Sequence, residues 1–301
     1  MGFDHLGGFQ MIEAHLHAAM QAVHGPLNWL PKADGQIHRY YVPGDRTGTR
    51  NGAYALYSDG IASGWFGSFK ETGGTTWHTW SSRNPSTPFE LESIRRRVEQ
   101  ARRQREAEQL HRQQLAAAKS MRLYVLAVPA KASHPYLVNK GCQPHNLRQL
   151  VSTLLVPLYH ECKLVNLQRI CPDGTKRFMF GGRVAGAYSP MGKAEPGKLI
   201  YVCEGWATGA TIHEHTDAAV ACAMNAGNLL AVGQQLRRIH PNSPLVIAGD
   251  DDRQTKGNPG RTSAERAAEQ LGCGVVFPPW SGAEPLSLSD FNDLKNWQEG
   301  Y

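Results

Sequence analysis

Residues 199–210 read LIYVCEGWATGA, and residues 245–253 read LVIAGDDDR. Each stretch begins as a short apolar run and ends in acid, at Glu204 in the first and at Asp250, Asp251 and Asp252 in the second. Around them, Ala207–Glu214, Leu229–Ile239 and Thr262–Leu271 carry apolar residues at helical spacing, whereas Ala218–Cys222 and Val275–Phe277 are further short apolar runs. Strands that are apolar on both faces and alternate with helices predict an α/β fold, a mostly parallel sheet flanked by helices. Functional groups of such sheets gather at the carboxyl ends of the strands, where both acidic ends fall.

The acids have a chemical logic. On an extended chain, residues i and i+2 point to one side, so Asp250 and Asp252 are expected to face one ion together while Asp251 points away. Mg²⁺ takes oxygen ligands in octahedral geometry, keeps several waters, and is held by one or two carboxylates plus substrate phosphates. Carboxylates packed this closely repel and raise each other's pKa, a cost that a bound cation removes. Gly205 is expected to let the chain turn sharply after Glu204. A third acidic pair, Asp290 and Asp293, follows in SDFNDL at 289–294. The plainer alternative is that the Asp triplet is an acidic turn or a helix start.

Upstream, 154–158 (LLVPL), 164–170 (LVNLQRI) and 177–180 (RFMF) read as strands, with a Pro-Asp-Gly-Thr turn at 172–175. Lys140, Lys163, Arg169, Lys176, Arg177, Arg183 and Lys193 alternate with apolar residues here, as a basic sheet face or as ordinary surface charge. Residues 89–120 contain no Gly or Pro and mix Arg with Glu, the composition of a charged helix, either a solvated linker or a phosphate-contacting arm. Residues 1–88 open with a helical pattern at Met11–Val23. Short strands at Ile37–Val42, Ala53–Tyr57 and Ile61–Gly67 follow, with a turn at Ser58-Asp59-Gly60. Most aromatics of this small α+β domain are expected in its core; Trp65 and Phe66, set between glycines, are the best candidates for an exposed surface that stacks single-stranded bases. The expected divisions are 1–88, a helical linker 89–120, a second subdomain 121–197, and the parallel-sheet domain 198–301.

The 301 residues carry a formal charge of +6, which favours an acidic partner such as nucleic acid. The six cysteines form no C-x-x-C pair, so no zinc is expected, and they read as reduced thiols. Met1–Gln10 lacks the pattern of a signal peptide and no apolar run is long enough to span a bilayer. A cytoplasmic protein without a membrane partner is expected.

EGWATG at 204–209, followed about forty-five residues later by the D-x-D of 250–252, resembles the Toprim domain shared by bacterial-type primases, topoisomerases and some nucleases. The E-G-aromatic-A-T-G form is most similar to primases of phages, satellite phages and plasmids. The resemblance implies Glu204 as general acid/base, with Asp250 and Asp252 holding Mg²⁺, or Mn²⁺ in its place. Glu204, Asp290 and Asp293 join the implied ligand set. HPYLVNKG at 134–141, DGTKRF at 173–178 and GGRVAG at 181–186 are similar to the segment that precedes Toprim in these primases. There Lys176, Arg177 and Arg183, then Arg169 and Lys140, are the implied contacts to nucleic acid and nucleotide. The implied activity is a DNA primase that makes short RNA primers on a single-stranded DNA template from ribonucleoside triphosphates. A Toprim nuclease and a non-catalytic single-stranded-DNA-binding accessory protein are the alternatives. The zinc module that often opens such primases has no cysteine pairs here. GAYSPMGKA at 186–194 departs from a phosphate loop in spacing and at Ala194, so a replicative helicase partner is expected to be a separate chain.

Overall fold

The computed structural model describes residues 5–58, 61–68, 77–83 and 87–300. Two compact units, Met1–Ala107 and Glu108–Tyr301, divide the chain. The turn expected at Asp59-Gly60 lies outside the described residues.

In the first unit, α1 (His5–His24) precedes β1 (His38–Tyr40), β2 (Gly52–Tyr57), β3 (Ser63–Ser68) and β4 (Trp77–Ser81). The strands form one antiparallel sheet in chain order. Side chains alternate across it. Tyr40, Tyr54, Leu56 and Phe66 pack on Leu16 and Met20 of α1, whereas Ala53, Ala55 and Trp65 pack on Ala101 of α2 (Pro88–Leu126). Trp65 and Phe66 are therefore not the exposed pair that their glycine neighbours suggested: each is 3% exposed. Both faces of this sheet are covered, so neighbouring residues of one strand are buried alike. Gly64 marks a close strand approach rather than a surface, since a Cβ there would lie 2.5 Å from the Ala55 carbonyl. β4 was not anticipated.

Helix α2 starts on a reciprocal cap, with Glu90 N donating to Thr87 Oγ1 (3.2 Å) and Thr87 N to the Glu90 carboxylate (3.3 Å). Exposed i,i+4 pairs line it, among them Glu92–Arg96, Glu99–Arg103 and Arg102–Glu106. It continues to Leu126, past Ser120, where a helical linker was expected to end.

The second unit holds two sheets. β5 (Val128–Pro129), β6 (Arg148–Leu150), β7 (Thr153–His160), β8 (Lys163–Ile170) and β9 (Lys176–Phe178) form an antiparallel sheet in chain order, with α3 (Pro135–Lys140) between β5 and β6. The other sheet has the order β10 (Ser189–Met191), β12 (Ala219–Cys222), β11 (Ile200–Cys203), β13 (Leu245–Ala248), β14 (Gly274–Val276). Its last four strands are parallel and β10 is antiparallel, the mostly parallel arrangement expected. Cys203 and Val220 contribute to a core shared with Trp206 and Ala210 of α4 (Trp206–Thr216). Ile200, Val202 and Ile247 pack with α5 (Leu229–Ile239) and α6 (Pro259–Leu271). α7 (Phe291–Glu299) closes the described chain. α6 begins at Pro259, ahead of the expected Thr262, because Asn258 caps it and a proline suits the first helical position. From β11 the chain goes to β12 on one side and later to β13 on the other. That reversal opens a crevice at the carboxyl ends of β11 and β13.

Candidate active site

Both acid-terminated strands end at this crevice. Cys203 pairs with Ala248, so Glu204 and Asp250 emerge on adjacent strands one and two residues later. One carboxylate oxygen of each, Glu204 Oε1 and Asp250 Oδ1, is buried without a hydrogen-bond partner. Asp252 is better supplied: its N–H donates to Asn258 Oδ1 (2.8 Å) and its Oδ2 accepts from Gly260 N (2.9 Å). Gly260 is there because the helix start approaches the acidic loop closely. A Cβ would stand 2.8 Å from both Asp250 O and Asp252 Oδ2. Gly205 departs from expectation. At φ −94°, ψ 154° it is ordinary extended backbone. What constrains it is space, since a Cβ would come within 3.2 Å of Thr208 Oγ1. Asp251 turns to a different set of partners.

Asp290 joins the same centre from the start of α7. Its Oδ1 accepts from Asp293 N (2.8 Å) as a helix cap, and its Oδ2 accepts from Thr208 Oγ1 (3.1 Å). Asp293 accepts from Ser289 N (3.1 Å) and pairs with Lys140 Nζ at 3.3 Å. Lys140 ends α3, which Asn292 ties down. The Asn292 amide is fully buried and donates to Lys140 O (2.7 Å) and Thr211 Oγ1 (3.0 Å). Lys176 reaches in from β9, its ammonium 5.4 Å from the centre of the Tyr136 ring.

The electrostatics bind these groups together. Burial first, then the charges of Asp252 and Asp290, push Glu204 up to about 7. Burial and then Glu204, Asp290, Asp252 and Asp293 push Asp250 up to about 8. Asp290 is raised by burial and by Asp293. The crowding around its ammonium and the nearby Lys140 hold Lys176 below the ordinary lysine range, against the pull of Asp290, Asp250 and Asp293. Carboxylates that raise one another and keep oxygens without donors, as Glu204 and Asp250 do, are suited to a divalent cation. Among the described residues no three His, Cys, Asp or Glu side chains are grouped so that they could hold a metal ion by themselves. Mg²⁺ can be held by one or two carboxylates, with water and phosphate filling the rest of its octahedron.

The predicted basic residues divide. Arg169 and Arg177 stand directly opposite each other across β8 and β9, and they line a cavity of about 340 Å³ with Thr153, Cys171, Asp173 and Thr175. Like charges so placed repel, and an anion between them relieves it. Lys176 and Lys140 sit at the acids. Arg183 does not join them: it donates to Ala185 O (2.9 Å) and neighbours His160, which burial and then Arg183 hold below the usual range. Thr208, Tyr136, Asn258 and Asn292 were missed as site residues. Asn258-Pro259 is a legible cap-and-proline signal; the burial of Asn292 left no local trace.

The Toprim domain family matches residues 199–298. Two relatives named DNA primase TraC, both from Escherichia coli, are similar over most of the chain. One is 33% identical over 278 residues, covering 86% of this chain and 25% of the relative. The other is 34% identical over 267 residues, covering 84% and 18%. The chain thus spans a quarter or less of the length of these relatives. Among solved structures, the DnaG primase catalytic domain bound to ssDNA matches with a TM-score of 0.42 and 13% identity over 64% of this chain and 77% of that one. The primase fragment of the bacteriophage T7 primase-helicase protein matches at 0.38 and 15%, over 57% and 69%. No described helix is long and apolar enough to cross a membrane. Glu204 and the Asp250–Asp252 loop fall inside the span that is similar to the Toprim domain family.

Proposed function

We propose that this chain is a DNA primase that joins ribonucleotides into short primers on single-stranded DNA. The observation that carries the reading is the pair of buried, partnerless carboxylate oxygens on Glu204 and Asp250 at the strand-order reversal, in a chain similar to primases over most of its length. Asp250 and Asp252, with Asp290 and Asp293 beside them, would hold Mg²⁺ or Mn²⁺, which supplies charge neutralisation for the triphosphate and its leaving pyrophosphate. Glu204, raised to about 7, is poised to take the proton from the attacking 3′-hydroxyl near neutral pH. Lys140 and Lys176 offset the acids from the other side of the crevice and orient the triphosphate. Arg169 and Arg177 hold a template or nucleotide phosphate in the cavity they share. A cytoplasmic setting, and action alongside a helicase, belong to the same proposal.

The test is incubation with single-stranded DNA, labelled ribonucleoside triphosphates and MgCl₂. Labelled oligoribonucleotides that vanish with Asp250→Asn are expected. Shortened DNA would instead make the centre a nuclease, and a mobility shift without either product would make the chain a binding protein.

A further inference from the structure

Asp251 sits between two residues of the proposed metal site, and its carboxylate turns away from them to donors of its own. It is 4% exposed. Its Oδ1 accepts from Arg261 Nε at 2.9 Å and Asn258 Nδ2 at 2.6 Å, and its Oδ2 accepts from Trp280 Nε1 at 3.1 Å. Its backbone N–H donates to Ser289 O at 2.7 Å. These partners come from different pieces of chain. Asn258 and Arg261 belong to the start of α6, where Asn258 also fixes the Asp252 N–H. Trp280 lies in the long segment after β14, and Ser289 directly precedes Asp290. Arg253 reinforces the same junction, its guanidinium 3.9 Å above the Trp280 ring while it donates to Pro285 O at 2.7 Å. Arg261 lies in turn on Phe277, at 3.9 Å.

One carboxylate therefore connects the loop that carries Asp250 and Asp252 to the segment that delivers Asp290 and Asp293. That segment, Phe277 to Ser289, has no helix or strand of its own. A loop this long holds a fixed position only through such contacts. We infer that Asp251 is a positioning residue that sets the spacing of the Asp250–Asp252 pair against the Asp290–Asp293 turn, and so sets divalent-cation affinity without touching the ion. This rests on the proposal that these acids hold Mg²⁺ or Mn²⁺. It assigns the middle Asp a role opposite to that of Asp250: the Asp250 Oδ1 has no partner before a cation arrives, whereas Asp251 is saturated beforehand. Residues that orient ligands typically change metal affinity by about 10- to 100-fold when removed.

The experiment is titration of the full chain with MnCl₂ alone, followed by calorimetry and by the rise of Tm with Mn²⁺. Wild type, Asp250→Asn, Asp251→Asn and Trp280→Phe are compared, the last losing one hydrogen bond and keeping the ring. About 10-fold weaker Mn²⁺ binding is expected for Asp251→Asn and a smaller loss, about 3-fold, for Trp280→Phe. A residue that served only stability would lower the metal-free Tm and leave the Mn²⁺ Kd of the folded chain where it was; that outcome overturns the inference. If Asp251→Asn does not fold, unchanged Mn²⁺ affinity in Trp280→Phe overturns it equally. Failure of the underlying reading looks different: Asp250→Asn would then bind Mn²⁺ as wild type does.

Discussion

The sheet of the first unit and the crevice of the Toprim sheet both attract notice for residues that are unusual in sequence, and they resolve in opposite ways. Trp65 and Phe66 look like a recognition surface, yet each is buried against a helix. Glu204 and Asp250 end their strands in acid, and they carry oxygens that packing leaves unsatisfied. Burial suffices to explain an aromatic residue, because burial is what an aromatic contributes to a fold. Burial makes a partnerless carboxylate harder to explain, because it costs free energy that only a ligand or a proton recovers. A residue whose environment opposes it is thus better evidence of function than a residue of a functional type.

The largest effect expected from that contrast is at Asp250. Asp250→Asn should reduce primer synthesis by on the order of 10²–10³, the scale of several kcal/mol of lost charge stabilisation. In the absence of divalent cation at neutral pH the same variant should melt higher than wild type, by a few °C, because the buried group no longer has to take up a proton or carry a repelled charge. A lower metal-free Tm for Asp250→Asn would place this carboxylate among the stabilising groups and dissolve the contrast. Trp65→Ala marks the other side. Removing a buried indole should cost about 3–5 kcal/mol, seen as an earlier unfolding transition, while the folded fraction keeps its Mn²⁺ affinity.

Stability against pH sharpens the same comparison within one loop. Glu204 and Asp250 have folded values of about 7 and about 8, above their ordinary 4.5 and 3.8. The folded chain therefore binds more protons than the unfolded one between those limits, and metal-free stability should fall as pH rises from about 4 to about 8. Asp251 runs the other way. Arg261 leads the donors that bring it down to about 2 from 3.8, so its contribution is complete above about 4 and is lost as pH falls through 2. Tm recorded across pH 2–9 with a chelator should peak near pH 4–5, and saturating MnCl₂ should flatten the alkaline decline. A metal-free Tm that climbs from pH 5 to 8 would contradict the raised values of Glu204 and Asp250.

How far the sequence carries the reader follows from the same physics. The parallel sheet was legible because its strands are continuous apolar runs ended by acids, a pattern with few competing explanations. The acids that the crevice gathers were legible where a residue is chemically expensive, at Glu204, Asp250 and Asp252. It was not legible at Thr208 and Asn292, whose hydrogen bonds reach Asp290, 82 positions away, and Lys140, 152 away; such pairings leave no local signature. Arg183 was misplaced because alternation along a segment says which side a side chain takes and nothing about where the turn after β9 delivers it. Trp65 failed because glycine neighbours mark either exposure or close approach, and one sequence cannot separate the two.

A smaller effect is expected where the crevice meets α6. A Cβ at Gly260 meets a backbone oxygen and a carboxylate that is itself anchored, so neither yields without moving the loop. Gly260→Ala should cost about 1–3 kcal/mol and weaken Mn²⁺ binding together with stability. Gly272→Ala makes a useful comparison: its φ of +59° strains an L residue, but no atom lies within 4 Å. It should destabilise without touching Mn²⁺ affinity.

The smallest effect belongs to Lys140. Its pair with Asp293 is about a quarter exposed on both sides, and pairs with that much water are worth at most about 1 kcal/mol. Lys140→Ala should therefore barely move Tm, much as Arg96→Ala on the exposed face of α2 should not move it at all. The difference between the two cations lies in their neighbours. Lys140 helps hold Asp290 down and helps hold Lys176 below the lysine range; Arg96 faces only Glu92 and solvent. Without Lys140, Asp290 should bind its proton more tightly, and Lys176 should too. The acid limb of the priming rate should then shift to higher pH while maximal rate at alkaline pH is largely kept. A profile that superimposes on wild type would mean that Lys140 only fastens α3 to α7, and that the positive side of the crevice rests on Lys176 alone.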